Sequence, residues 1–318
     1  MGALALTACA TQPPLLAEDR GRELIAAPFF PQTIHQCGPA ALAPILVACG
    51  VATTPDQLAP EVYIPGRRGS LQVELLAAAR RQGRLAYILT PGFDTLRAEL
   101  AAGNPVLVLQ DLGALHIRRW HFAVLIGYDP ATDVVILRSG TERRRLETRA
   151  RFLHSLQAGN FWAVVVSDPA RLPVTATAAG AINALTDAER FLTPAALDAG
   201  HAVALQRWPT DPLVLFAAGN RAYAAGRIAD AAANYRQLLA VQPAHVAGRN
   251  NLANLLLDEG CPAAALAQAR AAAGSSTPAS PLWAAIQDTL ERATREVSNT
   301  MPDPARCAAM SGAGTAGS

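Results

Sequence analysis

Gln36-Cys37-Gly38-Pro39-Ala40-Ala41-Leu42-Ala43-Pro44-Ile45-Leu46-Val47-Ala48-Cys49-Gly50 decides how the first half of this chain is read. Pro39 suits the first turn of a helix, where its missing N–H is not needed, and Gly50 suits the stop beyond its end. Cys37 therefore stands at or just before a helix N-terminus. Free N–H groups and aligned peptide dipoles there favour a thiolate and lower the thiol pKa. Pro44 removes one hydrogen bond within the helix, which predicts a kink or an early 3₁₀ turn. Cys49, late on the same apolar helix, reads as a small buried hydrophobe.

Working outward, Pro28-Phe29-Phe30-Pro31-Gln32 reads as an extended entry segment, because both prolines forbid a helix interior. Apolar spacing (Leu71, Val73, Leu75, Leu76, Ala79) predicts a helix over 70–82, and another follows over 93–102. Gly103-Asn104-Pro105 then breaks into a short buried strand over 106–109. The β-rich runs 120–128 and 134–140 flank the turn 129–133 and read as a hairpin, with a last strand over 161–166. Helices come first and an antiparallel sheet after, so residues 23–168 form an α+β domain.

A thiol at a helix start and a histidine, His121, opening a core strand are the parts that cysteine acyl-transfer chemistry needs. At these residues the chain resembles a family. Gln32 followed by His35-Gln36-Cys37-Gly38-Pro39-Ala40-Ala41-Leu42 and, downstream, His121-Phe122-Ala123-Val124-Leu125-Ile126-Gly127-Tyr128 are similar to the papain-like bacteriocin-processing peptidases, which remove leaders after a double-glycine site. The resemblance covers residues 25–168. It implies a papain-like cysteine peptidase domain acting on a peptide or protein substrate. By position, Cys37 matches the nucleophile, His121 the base and Gln32 the oxyanion-hole donor, with the Cys37 backbone N–H as a second donor.

The family's third member is an aspartate on the strand after the histidine, and here that place reads Arg138-Ser139-Gly140. Asp129-Pro130 has the right letters, but it lies eight residues along the strand from His121, roughly 25 Å at about 3.3 Å per residue. A turn centred on Ala131 pairs residues whose numbers sum to about 262. His121 then faces Thr141, and Ser139 lies opposite Ala123 on the same sheet face. Ser139 is thus the candidate support for His121, with Glu142 as a lesser substitute. Arg118 and Arg119 beside Trp120 suit either a peptide cleft or a solvated edge, and His35, His116 and His154 read as loop or surface residues.

Beyond Asp168-Pro169-Ala170-Arg171-Leu172-Pro173, read as a linker, the chain is alanine-rich and helical. Gly226 to Gly260, Ala231 to Ala265 and Pro209 to Pro243 each recur at 34 residues. That period, with Gly219, Gly226, Ala231, Tyr235 and Pro243, resembles tetratricopeptide repeats. The resemblance implies an all-α repeat domain, two good repeats over 212–278, a degenerate one ending at Trp208-Pro209, a capping helix over 282–297 and a face that binds a protein partner. The expected organisation is 1–22 lipoprotein signal remnant and exposed N-terminal segment, 23–168 peptidase domain, 169–300 linker and repeats, and 301–318 disordered tail.

The 318 residues carry 51% hydrophobic and 16% charged side chains and a net charge of +2, which excludes a disordered polyelectrolyte. All 27 basic residues are arginine, and no basic block longer than Arg143-Arg144-Arg145 occurs, so nucleic acid is not an expected partner. No CxxC or HExxH spacing occurs, so neither a metal nor another cofactor is expected. Five cysteines, an odd number, suggest no disulfide framework, and Cys307 reads as an incidental thiol.

Leu6-Thr7-Ala8-Cys9 resembles a bacterial lipobox, with Cys9 as the lipidated residue, although the apolar stretch upstream is barely six residues. The expected location is the bacterial cell envelope, lipid-anchored and facing the periplasm. Three functions compete: an exported cysteine endopeptidase whose repeats recruit substrate, a catalytically inactive peptidase-like module serving as a binding scaffold, and acyl transfer of another kind by the same dyad.

Overall fold

The computed structural model describes residues 21–32, 36–113, 117–298 and 302–311. Cys9 with its lipobox, His35 and His116 lie outside the described residues.

An antiparallel sheet organises the first half. Its strands are β1 (Arg22–Glu23), β2 (Leu85–Ile88), β3 (Val106–Asp111), β4 (Trp120–Asp129), β5 (Val134–Ser139), β6 (Glu142–Thr148) and β7 (Ala163–Ser167). The order across the sheet is β2-β7-β3-β4-β5-β6, and β1 also pairs with β4. Alternation of side chains along each strand builds two cores. Leu107, Leu109, Phe122, Val124, Ile126, Val164 and Val166 pack under α1 (Cys37–Ala48), α2 (Pro55–Val62) and α3 (Gln72–Arg81). Val106, Val108, Ala123, Leu125, Leu137 and Val165 pack under α4 (Phe93–Ala101) and α5 (Arg149–Gln157). Helices thus cover both faces and interleave with strands, where the sequence suggested helices first and sheet after. Helices α2 and α5 and strands β2 and β6 were not anticipated.

Helix α1 runs unbroken through Pro44, without the expected 3₁₀ turn. The pairing rule derived from the hairpin holds at Val124↔Arg138 and Leu125↔Leu137, then slips by one to Gly127↔Ile136 at a β-bulge. Strand β1 pairs at the same place: a Cβ on Gly127 would lie 2.7 Å from the Arg22 carbonyl oxygen, so the backbone needs glycine there to admit the extra strand. At the other end β5 stops at Ser139, and Gly140 (φ +62°) turns the chain into β6. Thr141 is therefore a turn residue and does not face His121.

The second half is helical: α6 (Ala178–Ala188), α7 (Pro194–Arg207), α8 (Pro212–Ala224), α9 (Ile228–Val241), α10 (Val246–Asp258), α11 (Pro262–Gly274), α12 (Trp283–Val297) and α13 (Pro304–Ser311). Helices α10 and α11 each start 34 residues after α8 and α9. Gly219 of α8 lies flat against the Tyr235 ring of α9, where a Cβ would come within 2.5 Å. Leu85 of β2 joins Ile182, Leu185, Leu197 and Val214 in one apolar cluster, so the helices dock on the β2 edge. The segment read as a linker is pinned: fully buried Glu99 accepts from the Thr175 backbone N–H at 2.7 Å and hydroxyl at 2.5 Å, and Thr177 donates its N–H to Tyr87 Oη at 3.0 Å.

Two expectations about the chain end are corrected. Residues 304–311 are helical, and Cys307 forms a disulfide with Cys261, a residue 46 positions earlier. Cysteine spacing gave no hint of it, because packing of α13 near the turn before α11 brings the two together.

Candidate active site

Cys37 is the first residue of α1, and the helix docks on β4. Its neighbour is glycine for a steric reason: a Cβ at position 38 would lie 2.1 Å from Ser70 Oγ. Strand β4 delivers two groups in succession. The His121 side chain enters the cleft, and the backbone N–H of Phe122 points at the Cys37 sulfur, as do those of Gly38 and Cys37 itself. Ser139, at the end of β5 and 4% exposed, sets its Oγ 2.9 Å from His121 Nε2. Gln32 is held by its backbone N–H on the Gly140 carbonyl at 3.0 Å, and the Arg138 guanidinium ties down the preceding segment at the Ala27 carbonyl, 3.1 Å.

Gln32, Cys37, His121 and Ser139 all line one cleft of about 1000 Å³. Trp120, 45% exposed, forms part of its wall, while Arg118 stacks over the Trp120 ring and pairs with Asp111 at 3.4 Å. Asp129 is elsewhere, at the hairpin tip, accepting from Ala131 N–H and the Thr132 hydroxyl. Glu142 lines the cleft but turns to Arg145, 3.8 Å away. His154 is exposed on α5.

Burial pushes the Cys37 thiol above its ordinary pKa, against the pull of the three N–H groups. Burial, with the charges of Arg145 and Arg119, pushes His121 down to about 4. Both shifts favour the uncharged forms, a neutral thiol and a neutral imidazole lining one cleft. The expectation of a lowered thiol pKa is corrected: a helix start favours the thiolate, but desolvation is the larger effect. Cys49 is held further from reactivity, its Sγ donating to the Val166 carbonyl at 2.7 Å and its thiol raised to about 11 chiefly by burial.

Such an arrangement can perform base-assisted thiol attack. His121 Nε2 is engaged by Ser139, which leaves Nδ1 to take the thiol proton. Among the described residues no group of three or more His, Cys, Asp or Glu side chains is placed to hold a metal ion. Sequence reasoning missed the Phe122 N–H, the Ser70 hydroxyl and Arg67 and Arg68, whereas Arg119 was read as a residue of a cleft or an edge. The first two depend on tertiary approach alone, whereas Arg67-Arg68 between two glycines was a visible turn signal.

The comparisons with known proteins fall on this half of the chain. Residues 24–153 match the Peptidase_C39 like family. The match is to a peptidase family, and peptidases act on peptides or proteins. A crystal structure from Bacillus anthracis, described as a C39-like peptidase, aligns with a TM-score of 0.39 at 19% identity, covering 46% of this chain and 98% of that one. No curated protein matches the chain. The C39-like region contains Cys37 and His121, and it ends within α5, before the helical half begins.

Proposed function

We propose that the chain is a cysteine endopeptidase in which Cys37 attacks the scissile carbonyl and His121 takes the thiol proton and returns it to the leaving amine. One observation carries this reading: a thiol at a helix start, an imidazole held through Nε2 and Gln32 line one cleft inside the family-matched region. Gln32 and the Cys37 backbone N–H are the oxyanion donors, and Ser139 is a positioning residue for His121. In the fuller reading the enzyme is exported, lipid-anchored through Cys9 on the periplasmic side of the envelope, and its helical half binds a substrate or partner protein. The Cys261–Cys307 disulfide supports an oxidising compartment.

A second reading, a catalytically silent scaffold, is supported by the hydroxyl that occupies the place of a carboxylate beside His121. A thiol-reactive peptidyl probe with mass mapping of the adduct separates the two. An adduct on Cys37 that disappears in His121→Ala supports the enzyme. Absence of any adduct across a peptide panel leaves the scaffold.

A further inference from the structure

Three arginines on two separate segments stand at the Cys37–His121 cleft without a carboxylate partner among the described residues. Arg67 and Arg68 lie on a turn closed by the Ile64 N–H on the Gly69 carbonyl at 2.8 Å, and Arg119 immediately precedes β4. All three are exposed, and none of their guanidiniums has a hydrogen bond or ion pair among the described residues. Several arginines elsewhere are neutralised, as Arg80 is on Asp187 and Arg221 on Asp198, at 2.5 and 2.6 Å.

Arg145 is a fourth cationic lining residue, and Glu142 is the acidic one. The whole chain carries a net charge of only +2, so the cleft concentrates positive charge rather than sharing a general excess. The turn that presents Arg67 and Arg68 is also fixed. Arg67 N–H donates to the Ile64 carbonyl at 3.0 Å, Arg68 N–H to the Pro65 carbonyl at 3.1 Å, and Arg68 sits in the left-handed region at φ +49°.

We propose that this cleft selects peptides carrying acidic side chains close to the bond under attack. The proposal rests on the peptidase reading of Cys37 and His121. Guanidinium groups pair with carboxylates in two-pronged fashion, and held around a concave site they raise the local concentration of an anionic ligand. Each exposed pair is weak in water, so the selectivity is a sum over Arg67, Arg68 and Arg119. A preference of about tenfold for Glu over Gln follows, equivalent to about 1.4 kcal/mol. It shrinks with salt, as the screening length falls from about 10 Å at 0.1 M to about 3 Å at 1 M.

The experiment uses the full chain and matched electrophilic peptidyl probes that differ only in Glu or Gln beside the reactive group, each with a free or an amidated C-terminus. Faster labelling of Cys37 by the Glu probe, kept in the amidated pair and reduced toward parity by Arg67→Gln, Arg68→Gln or Arg119→Gln, is the expected result. A preference that follows the free C-terminus instead assigns the arginines to a chain end and overturns the side-chain proposal. Equal labelling by Glu and Gln probes overturns it while leaving the peptidase reading intact. No labelling by any probe removes both.

Discussion

Replacing Ser139 is the sharpest perturbation, because among the described residues its hydroxyl is the side-chain partner of His121 Nε2, at 2.9 Å. For His121 to accept the thiol proton at Nδ1, its Nε2 must carry a hydrogen and Ser139 must accept it. A hydroxyl both donates and accepts, so it orients the ring without fixing the tautomer, whereas a carboxylate does both. Ser139→Ala removes a hydrogen bond at a site only 4% exposed and leaves a ring N–H without its partner, a loss of about 1–3 kcal/mol. At 1.36 kcal/mol per tenfold, kcat falls roughly 5- to 150-fold. Ser139→Asp adds the charge and fixes the tautomer. It raises the His121 pKa from about 4, so the acid limb of kcat/KM moves to higher pH. The assay is steady-state cleavage of a fluorogenic peptide from pH 4 to 9, with thermal melts to establish that each variant is folded. If Ser139→Ala stays within twofold of the parent while Asp129→Ala abolishes turnover, the register and the role given to Ser139 are both wrong.

Three further outcomes follow from the geometry. Because burial raises the Cys37 thiol, its iodoacetamide labelling climbs from pH 6 to pH 9 without a plateau, ahead of Cys49 throughout; a plateau already at pH 6 would falsify the neutral thiol. His121 and His201 both sit near pKa 4 in the fold against about 6.5 unfolded, so the unfolded chain binds the extra protons. Stability is therefore full above about pH 6.5 and is lost as the pH falls toward 4, by up to about 3 kcal/mol for each histidine. Urea melts check this, and His201→Gln should flatten the slope; an unchanged slope counts against the buried-histidine account. Finally, Cys261→Ser removes a crosslink closing a 46-residue span and lowers stability by up to about 4 kcal/mol. Mass analysis under non-reducing conditions should find Cys37 and Cys49 as the free thiols of the described residues, and free Cys261 in the native protein would refute the pairing.

The sequence alone was enough for the local features. Pro39 and Gly50 bracket α1 and so put Cys37 at its start, and the runs on either side of 129–133 declare the β4–β5 hairpin, because capping and alternation are properties of neighbours in the chain. Hairpin register also brought Ser139 to His121's face and kept Asp129 away, since strand geometry carries that distance without further help. What escaped was whatever depends on remote segments. Strand β1 packs against Gly127 of β4, Ser70 abuts Gly38, and α13 brings Cys307 to Cys261, each through contact between residues dozens of positions apart. The same holds for the thiol. A helix start can be read from six residues, but its effect on Cys37 is set against desolvation by the packed β4 and α1, and only the tertiary structure says that burial is the larger.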